Sequence, residues 1–394
     1  MKNDTRILTF HLVAEQSRLF SIVQHWQQLL EDCSDFAPMV EPSWLLAWWR
    51  HYGAGAEVAV GILFDNDLLV GLAPLCIKKH AYYPGLVFRR LQFMGGDANE
   101  TDGVKTTNLH FIARRGYEAV VAREFVDRIA AGDFGHAHEI NLSGLRGDID
   151  LPAMARSRWS EMGFHCEEAN GIRQVIELPS SWEDYIEALP TSRRVHINDA
   201  LAHFDAWAAE SGGWALTRTK AGDALEAGLD TLMGLDWNRD SGETAYSSPR
   251  FTAFHRDYLR LRREAEHAEF TSLTVGGNPA AGLYTIGNGA KIMAYRYARS
   301  TFVPTELQTE IVINALTIKD AISRGVREFD LFGGERFVNA IFATREGPLV
   351  GIRAAQPSVR EAIRTNVVNT KTVIRMAMHP FQITAAQRSV GRQT

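Results

Sequence analysis

The first clear pattern of apolar and polar positions runs from Glu57 to Phe64, where Val58, Val60, Ile62 and Phe64 recur at every second residue. A period of two is that of a strand with one apolar face. Asp65-Asn66-Asp67 then supplies turn chemistry, and Leu68 to Ile77 continues as a second strand. The second half of the chain repeats this grammar. Glu269 to Val275 predicts a strand, Gly276-Gly277-Asn278 a turn, and Pro279 to Ile286 the returning strand. Gly287-Asn288-Gly289 turns into a third strand, Ala290 to Tyr297. Gly71-Leu72 and Gly282-Leu283 take equivalent places in the two hairpins.

Each meander is followed by a helix and one more strand. Tyr117 to Ala131 has helical spacing in Val120, Val121, Phe125 and Ile129, and a turn at Gly132 to Gly135 leads into the strand Glu139-Ile140-Asn141-Leu142. Leu307 to Arg324 sets Ile311, Ala315, Ile318 and Ile322 on one side, with Gly325 where a helix stop belongs. The strand Glu328-Phe329-Asp330-Leu331 follows and ends at Phe332-Gly333-Gly334. Short hairpins make a meander antiparallel, and a helical crossover returns the last strand parallel. The repeated order predicts an α/β (α+β) chain of two tandem units, each a mixed, mostly antiparallel sheet with packed helices.

Other segments complete the outline. A short strand is expected at Ile7 to Val13, and an aromatic helix from Ser43 to Tyr52 (Trp44, Trp48, Trp49) covers the sheet. Further helices are expected over Tyr185 to Ala209, entered near Pro190, over Ala224 to Trp237, and over Phe251 to His267. A division between Phe164 and Pro179 gives an N-terminal domain of residues 1–170 and a C-terminal domain of 171–355. Residues 356–394 then form a helical, basic tail.

Composition agrees with two globular domains. The chain has 394 residues, 45% of them hydrophobic and 23% charged. A formal net charge of −5 gives no general reason for a polyanion partner, and none for DNA. Cys33, Cys76 and Cys166 are scattered and odd in number, which points to a reducing cytosol. No apolar run approaches bilayer length and no hydrophobic leader opens the chain, so a cytoplasmic protein without membrane insertion is expected. His136, His138 and His165 lack a convincing set of co-ligands, and no metal is expected.

Five segments carry a family likeness. They are Glu41-Pro42-Ser43-Trp44 with Trp48-Trp49, then Gly71-Leu72-Ala73-Pro74-Leu75, then Ser192-Arg193-Arg194. The run from Trp237 through Arg239 and Gly242 to Ala245 follows, and last the helix to Gly325 with Phe329-Asp330-Leu331-Phe332-Gly333-Gly334. In this order, over nearly the whole chain to about Ala355, they resemble the GNAT superfamily. Within it they resemble the tandem-domain, cellulose-biosynthesis-protein-type (CelD-like) acetyltransferases, related to the Fem-type aminoacyl transferases. The resemblance implies an N-acyltransferase. An acyl thioester, on coenzyme A or an acyl carrier protein, would lie in a gap between two splaying strands. The amine of a small molecule would attack it without a covalent enzyme intermediate. The Fem-type likeness implies charged tRNA as donor instead, and a catalytically silent scaffold is a third reading.

The candidate residues follow from these segments. Arg193 and Arg194 at a helix start would hold a phosphate or carboxylate, and Trp237 and Arg239 would wall the acceptor pocket. Tyr295 and Tyr297 share one face of their strand by alternation, with Arg296 on the other. A tyrosine hydroxyl would serve the oxyanion or relay a proton, and Arg296 or Arg299 would bind a carboxylate. Asp330 and Glu335 would take the amine's proton, Asp330 alternatively pairing with an arginine. In the superfamily the donor's pyrophosphate sits on the helix that here begins near Thr305, which brings in Thr305, Gln308 and Thr309. Relatives show Ser-Pro-Gly there. This chain has Val303-Pro304-Thr305 or Gln308-Thr309-Glu310 in its place, and Phe337-Val338 where relatives show Tyr-Lys. Thr305 and Gln308 have capping-box spacing, and Glu306 and Glu310 add negative charge, so weak binding of free coenzyme A is expected. Arg114 and Arg115, before Gly116 and the Tyr117 helix, offer another place for a phosphate.

Overall fold

The computed structural model describes residues 8–96, 104–220, 224–235, 248–261, 268–332 and 336–368. The first half runs β1 (Leu8–Val13), α1 (Gln16–Ser21), α2 (Val23–Glu31), α3 (Pro42–Tyr52), β2 (Glu57–Asp65), β3 (Leu68–Tyr83) and β4 (Leu86–Phe93). It continues with β5 (Ile112–Ala113), α4 (Glu118–Ala131), β6 (Glu139–Arg146), α5 (Leu151–Glu161) and β7 (His165–Glu177). The second half has α6 (Trp182–Ala188), α7 (Thr191–Glu210), β8 (Trp214–Thr219), α8 (Ala224–Gly234), α9 (Pro249–Leu261), β9 (Ala268–Val275) and β10 (Asn278–Gly287). Then come β11 (Lys291–Arg299), α10 (Thr309–Ser323), β12 (Glu328–Asp330), α11 (Phe337–Phe342) and β13 (Arg345–Ala355). Residues 359–368 form a last helix, α12.

The strands join in one sheet, ordered β1-β2-β3-β4-β6-β13-β7-β12-β11-β10-β9-β8, with β5 pairing to β3. The two halves are mirrored about the centre of this order. β4 and β6 are parallel from Arg90↔Glu139 to Gln92↔Asn141, and β11 and β12 from Lys291↔Glu328 to Met293↔Asp330. The other neighbouring pairs are antiparallel, so the mixed, mostly antiparallel architecture of two like units is as the pattern predicted. At the centre each half lends its last strand to the other. β13 pairs with β6 of the first half, and β7 pairs with β12 of the second.

Buried ion pairs accompany the exchange. Arg173 of β7 is 2.7 Å from Asp330 and also meets Glu328, both of β12. Arg353 of β13 is 2.7 Å from Glu139 of β6. A buried pair adds little net stability, but breaking it strands a charge. Each pair therefore penalises a strand that docks out of register.

The hairpins refine the repeat. In the first, Leu63 faces Gly71 and Phe64 faces Leu69, which leaves Val70 as a bulge; in the second, Leu273 faces Ala281 and Thr274 faces Pro279, which leaves Ala280. Gly71 thus answers to Ala281, and Leu72 to Gly282. The sequence match of Gly71-Leu72 with Gly282-Leu283 is off by one residue. A Cβ at Gly71 would meet Val121 of α4, whereas one at Gly282 would meet Leu232 of α8.

Candidate active site

The site is built on β11. Met293, Tyr295 and Ala298 belong to the core shared with the first half, α8 and α9. Ile292, Ala294 and Tyr297 pack instead with α7 and α10. The reason is a bulge: Tyr284 faces Arg296, Thr285 faces Ala294, and Tyr295 is the extra residue. Two successive side chains of a bulge fall on one side of the strand. Tyr295 and Arg296 accordingly lie together, with the Arg296 guanidinium 5.6 Å from the Tyr295 ring and 5.7 Å from that of Phe251. Tyr297 faces the other way. The expectation that the two tyrosines share a face is corrected here, because simple alternation does not survive a bulge.

On the Tyr297 side, β11 leaves β12 after Met293 and a cavity of about 430 Å³ opens. It gathers Tyr297, Arg299, Thr305, Gln308 and Thr309 of the expected residues, together with His196, Glu310, Arg336 and Phe337. Burial raises the Tyr297 phenol, which keeps its proton at neutral pH. Arg299 donates to the Thr305 hydroxyl at 3.3 Å and to the Val303 carbonyl at 3.3 Å.

The helix start differs from the expected capping box. Thr305–Leu307 is a separate 3₁₀ turn, Gln308 is left-handed (φ 48°, ψ 48°), and α10 opens at Thr309 with no side-chain cap. The Gln308 side chain instead accepts from Nε2 of His196 at 2.6 Å. The first N–H groups of an uncapped helix have no partner within the helix. The donors that the capping argument removed are therefore available beside the cavity. Glu310 is 2.7 Å from Arg336. Burial raises its carboxyl, and Arg336 partly opposes that rise.

On the Tyr295 side the setting is aromatic. Tyr295 lies 5.5 Å from Trp44, 5.3 Å from His255, 5.6 Å from Tyr284 and 5.1 Å from Phe332, centroid to centroid. Burial pushes its phenol up to about 12, with Arg296 pulling the other way. The hydroxyl accepts from the backbone N–H of Lys105 at 3.2 Å. His255 is fully buried, and among the described residues neither ring nitrogen has a hydrogen-bond partner. Burial, then Arg296, keep its imidazole neutral.

Other expected residues stand elsewhere. Asp330 is buried, accepting from Arg173 at 2.7 Å, Asn108 at 3.0 Å and the Phe332 N–H at 2.9 Å. That is the pairing alternative, and it leaves Asp330 out of the cavity lining. Arg193 donates to the Ala343 carbonyl at 2.9 Å and so ties α7 to the end of α11. Among the described residues Arg194 reaches Thr191 alone, at 3.4 Å. Arg114 is 2.5 Å from Asp32, and the N–H of Gly116 donates to Glu118 at 2.8 Å, so the chain's own carboxylates fill the anion places of that turn. Trp237, Arg239 and Glu335 lie outside the described residues. His165, Glu167 and Glu361 bring ligand atoms within 4.8 Å of one another. Those carboxylates already meet Arg364 and Arg353, which makes the group an ion-pair network.

In the first half, described residues occupy the edge where β4 leaves β6. Leu109 bridges to Leu145 in parallel and its N–H donates to Gly144 at 2.9 Å, while Phe111 packs between Phe93 and Phe125. The segment 104–111 thus occupies the vacated edge, and its polar tip reaches β11 and β12 through Lys105 and Asn108. Sequence reasoning missed Lys105, His196 and Arg336. His196 lies one turn beyond Arg193 on α7, a signal that was there to use. Lys105 had none, being far from Tyr295 along the chain.

Residues 192–337 match the family described as the acetyltransferase (GNAT) domain. A search of curated proteins gives no match. Among solved structures the chain is similar to FemX, with 10% identity and a TM-score of 0.56 over 83% of this chain and 95% of that one. It is also similar to a C-terminal domain described as that of a lysylphosphatidylglycerol synthetase from Agrobacterium fabrum, with 10% identity and a TM-score of 0.51 over 90% and 97% of the two chains. A conserved protein of unknown function from Bacteroides thetaiotaomicron gives 10% identity and a TM-score of 0.51 over 89% and 100%. At such identities the likeness is one of fold. Among the described residues no helix is long and apolar enough to cross a membrane. The second half thus carries a segment that matches an acetyltransferase (GNAT) domain, within a chain whose fold is similar to that of FemX.

Proposed function

We propose that the chain transfers an acyl group from a thioester, on coenzyme A or an acyl carrier protein, to the amine of a small molecule. The observation that carries this is the cavity at the splay of β11 from β12, beside the uncapped start of α10. A thioester there would lie near Tyr297, whose protonated hydroxyl is suited to donate to the oxyanion or the departing thiolate. The N–H groups at Thr309 and Glu310, with Arg299, suit a pyrophosphate. The acceptor would come from the Tyr295 and Arg296 side, through the join of the halves. Arg193 is assigned a positioning role, since its guanidinium holds α11. We take residues 1–170 and 171–355 as the two units, with the boundary falling inside β7, and with β13 of the second unit pairing with β6 of the first.

Calorimetric titration of acetyl coenzyme A into the full chain tests the reading. Saturable binding, weakened about tenfold or more in Arg299→Ala, is the expected result; one lost ion pair with a phosphate is worth about 1.4 kcal/mol or more. No binding of acetyl coenzyme A, with binding of a charged tRNA in its place, would move the assignment to an aminoacyl donor.

A further inference from the structure

Another cavity, of about 580 Å³, opens in the first half, where the turn after α4 leads into β6 and the chain passes from β13 to α12. Small-molecule sites usually measure about 300–1,000 Å³. This one is lined by Glu139 and Ile140 at the start of β6, the opposite end of the strand from Leu145, where residues 104–111 fill the edge.

Two hydrogen-bond donors are held in place in its lining. His138 is tied to β4 twice: its N–H donates to the Arg89 carbonyl at 2.7 Å, and its Nδ1 accepts from the Arg89 N–H at 2.9 Å. A ring nitrogen that accepts carries no proton, so the proton of this imidazole is on Nε2. Nε2 has no protein partner among the described residues. Burial, and then the charge of Arg360, lower the imidazole, which keeps the ring neutral. A metal on Nε2 would need the proton on Nδ1, where the Arg89 N–H already points. The ring therefore offers a donor.

Arg360 supplies the other. It stands in the first turn of α12, which Ser358 caps by accepting from the Glu361 N–H at 3.1 Å. Its Nη1 donates to the Val87 carbonyl at 2.6 Å, and its guanidinium lies 5.8 Å from the centroid of the Phe88 ring. The Nε and Nη2 edge has no partner, and Arg360 makes no ion pair, among the described residues. That edge is a planar fork, which matches two oxygens of a carboxylate or phosphate. Nη1 is 3.4 Å from Nδ1 of His138, so guanidinium and imidazole are close enough to share one anion. The carboxylate of the lining, Glu139, is held by Arg90 at 2.6 Å and Arg353 at 2.7 Å, which leaves the charge of Arg360 unopposed.

We propose that this cavity binds a small organic anion, a carboxylate or phosphate on a short apolar body. The anion lies between the Arg360 fork and the Nε2–H of His138, and the apolar body rests against Ile129, Ile140 and Phe164. Both donors are fixed by bonds to β4 before any ligand arrives, so little ordering is left for binding to impose. The site is independent of the acyl-transfer reading and of the cavity beside α10.

The test titrates benzoate, phenyl phosphate and neutral benzyl alcohol into the full chain by calorimetry, for the wild type, Arg360→Gln and Arg299→Ala. Near-ultraviolet circular dichroism checks the fold of each variant. The expected result is that one of the anions binds below about 1 mM and at least about tenfold more tightly than benzyl alcohol. Arg360→Gln should remove most of that preference and Arg299→Ala should keep it. The stronger anion identifies the group. In the wild type, the NMR signals of the His138 ring should shift with the calorimetric midpoint, a readout that does not depend on any variant. Equal affinities for the three probes, no binding below about 1 mM, or a His138 ring unmoved at saturation would overturn the proposal. So would a preference that survives Arg360→Gln in a folded variant, or one that is lost in Arg299→Ala, which would place the anion beside α10 instead.

Discussion

Tyr297 and Tyr295 stand two residues apart on β11 and end in different chemistry. Tyr297 lines the cavity beside α10, while Tyr295 lies among aromatics with its hydroxyl accepting from the Lys105 N–H. Tyr297→Phe is expected to lower the rate of acetyl transfer about 100-fold with little change in melting temperature, because it removes a proton donor and keeps the ring. An unchanged rate in a steady-state assay would exclude the hydroxyl from the chemistry. Glu310 bears on the donor itself. Two like charges about 4 Å apart repel by about 1–4 kcal/mol at effective dielectrics of 80 to 20, and the nearby Arg336 offsets part of this. Glu310→Gln should therefore tighten acetyl coenzyme A by about fivefold, near 1 kcal/mol. The sign with pH follows from the raised carboxyl: it regains its proton earlier than an ordinary glutamate as pH falls. Wild-type affinity should thus gain on that of Glu310→Gln as pH is lowered from about 8 toward 5, and titrations at both ends check it.

At the scale of elements, the helices were the most legible. Ile311, Ala315, Ile318 and Ile322 are all buried, as their spacing along α10 requires. The stop at Gly325 is a Schellman motif, with Val326 donating to Ala321 and Gly325 to Ile322. The equivalent helix α4 ends in the same way, Asp133 donating to Arg128 and Gly132 to Ile129. Gly132 and Gly325 have φ of 86° and 74°, and an added Cβ would meet nothing within 4 Å at either. Gly132→Ala and Gly325→Ala should each cost about 1 kcal/mol, from backbone conformation alone. Chemical denaturation of the two variants checks both the size and the expected equality. The start of α10 was the least legible element, because capping-box spacing is local and the left-handed Gln308 is set by packing around His196. The bulge at Tyr295 escaped for a similar reason: nothing in Tyr295-Arg296-Tyr297 distinguishes a bulged strand from a regular one.

At the scale of the molecule, the central exchange ties the halves together, and α12 is fastened over it by Glu361. Burial alone would raise the Glu361 carboxyl, but hydrogen bonds from Arg353 and Arg364 hold it at about 2, against an ordinary 4.5. A depressed carboxyl stabilises the fold above its unfolded value, and that contribution is lost as pH falls through the folded one. Stability on the order of 3 kcal/mol should thus disappear between about pH 4.5 and pH 2, and Glu361→Gln should flatten that limb of a stability-against-pH curve. By itself, the sequence determined what depends on short-range periodicity and composition: two like units, their hairpins and their main helices. Tertiary structure alone decided the exchange of β7 and β13. Those strands are rich in charge, and their Glu167, Arg173 and Arg353 each meet a partner far along the chain. It also decided which gap stays open, because the plug over residues 104–111 is recognisable only once Leu109 lies on β6. Periodicity reports which face of an element is buried; what that face meets depends on contacts between segments the chain keeps far apart, and the meeting of Lys105 with Tyr295 is one of them.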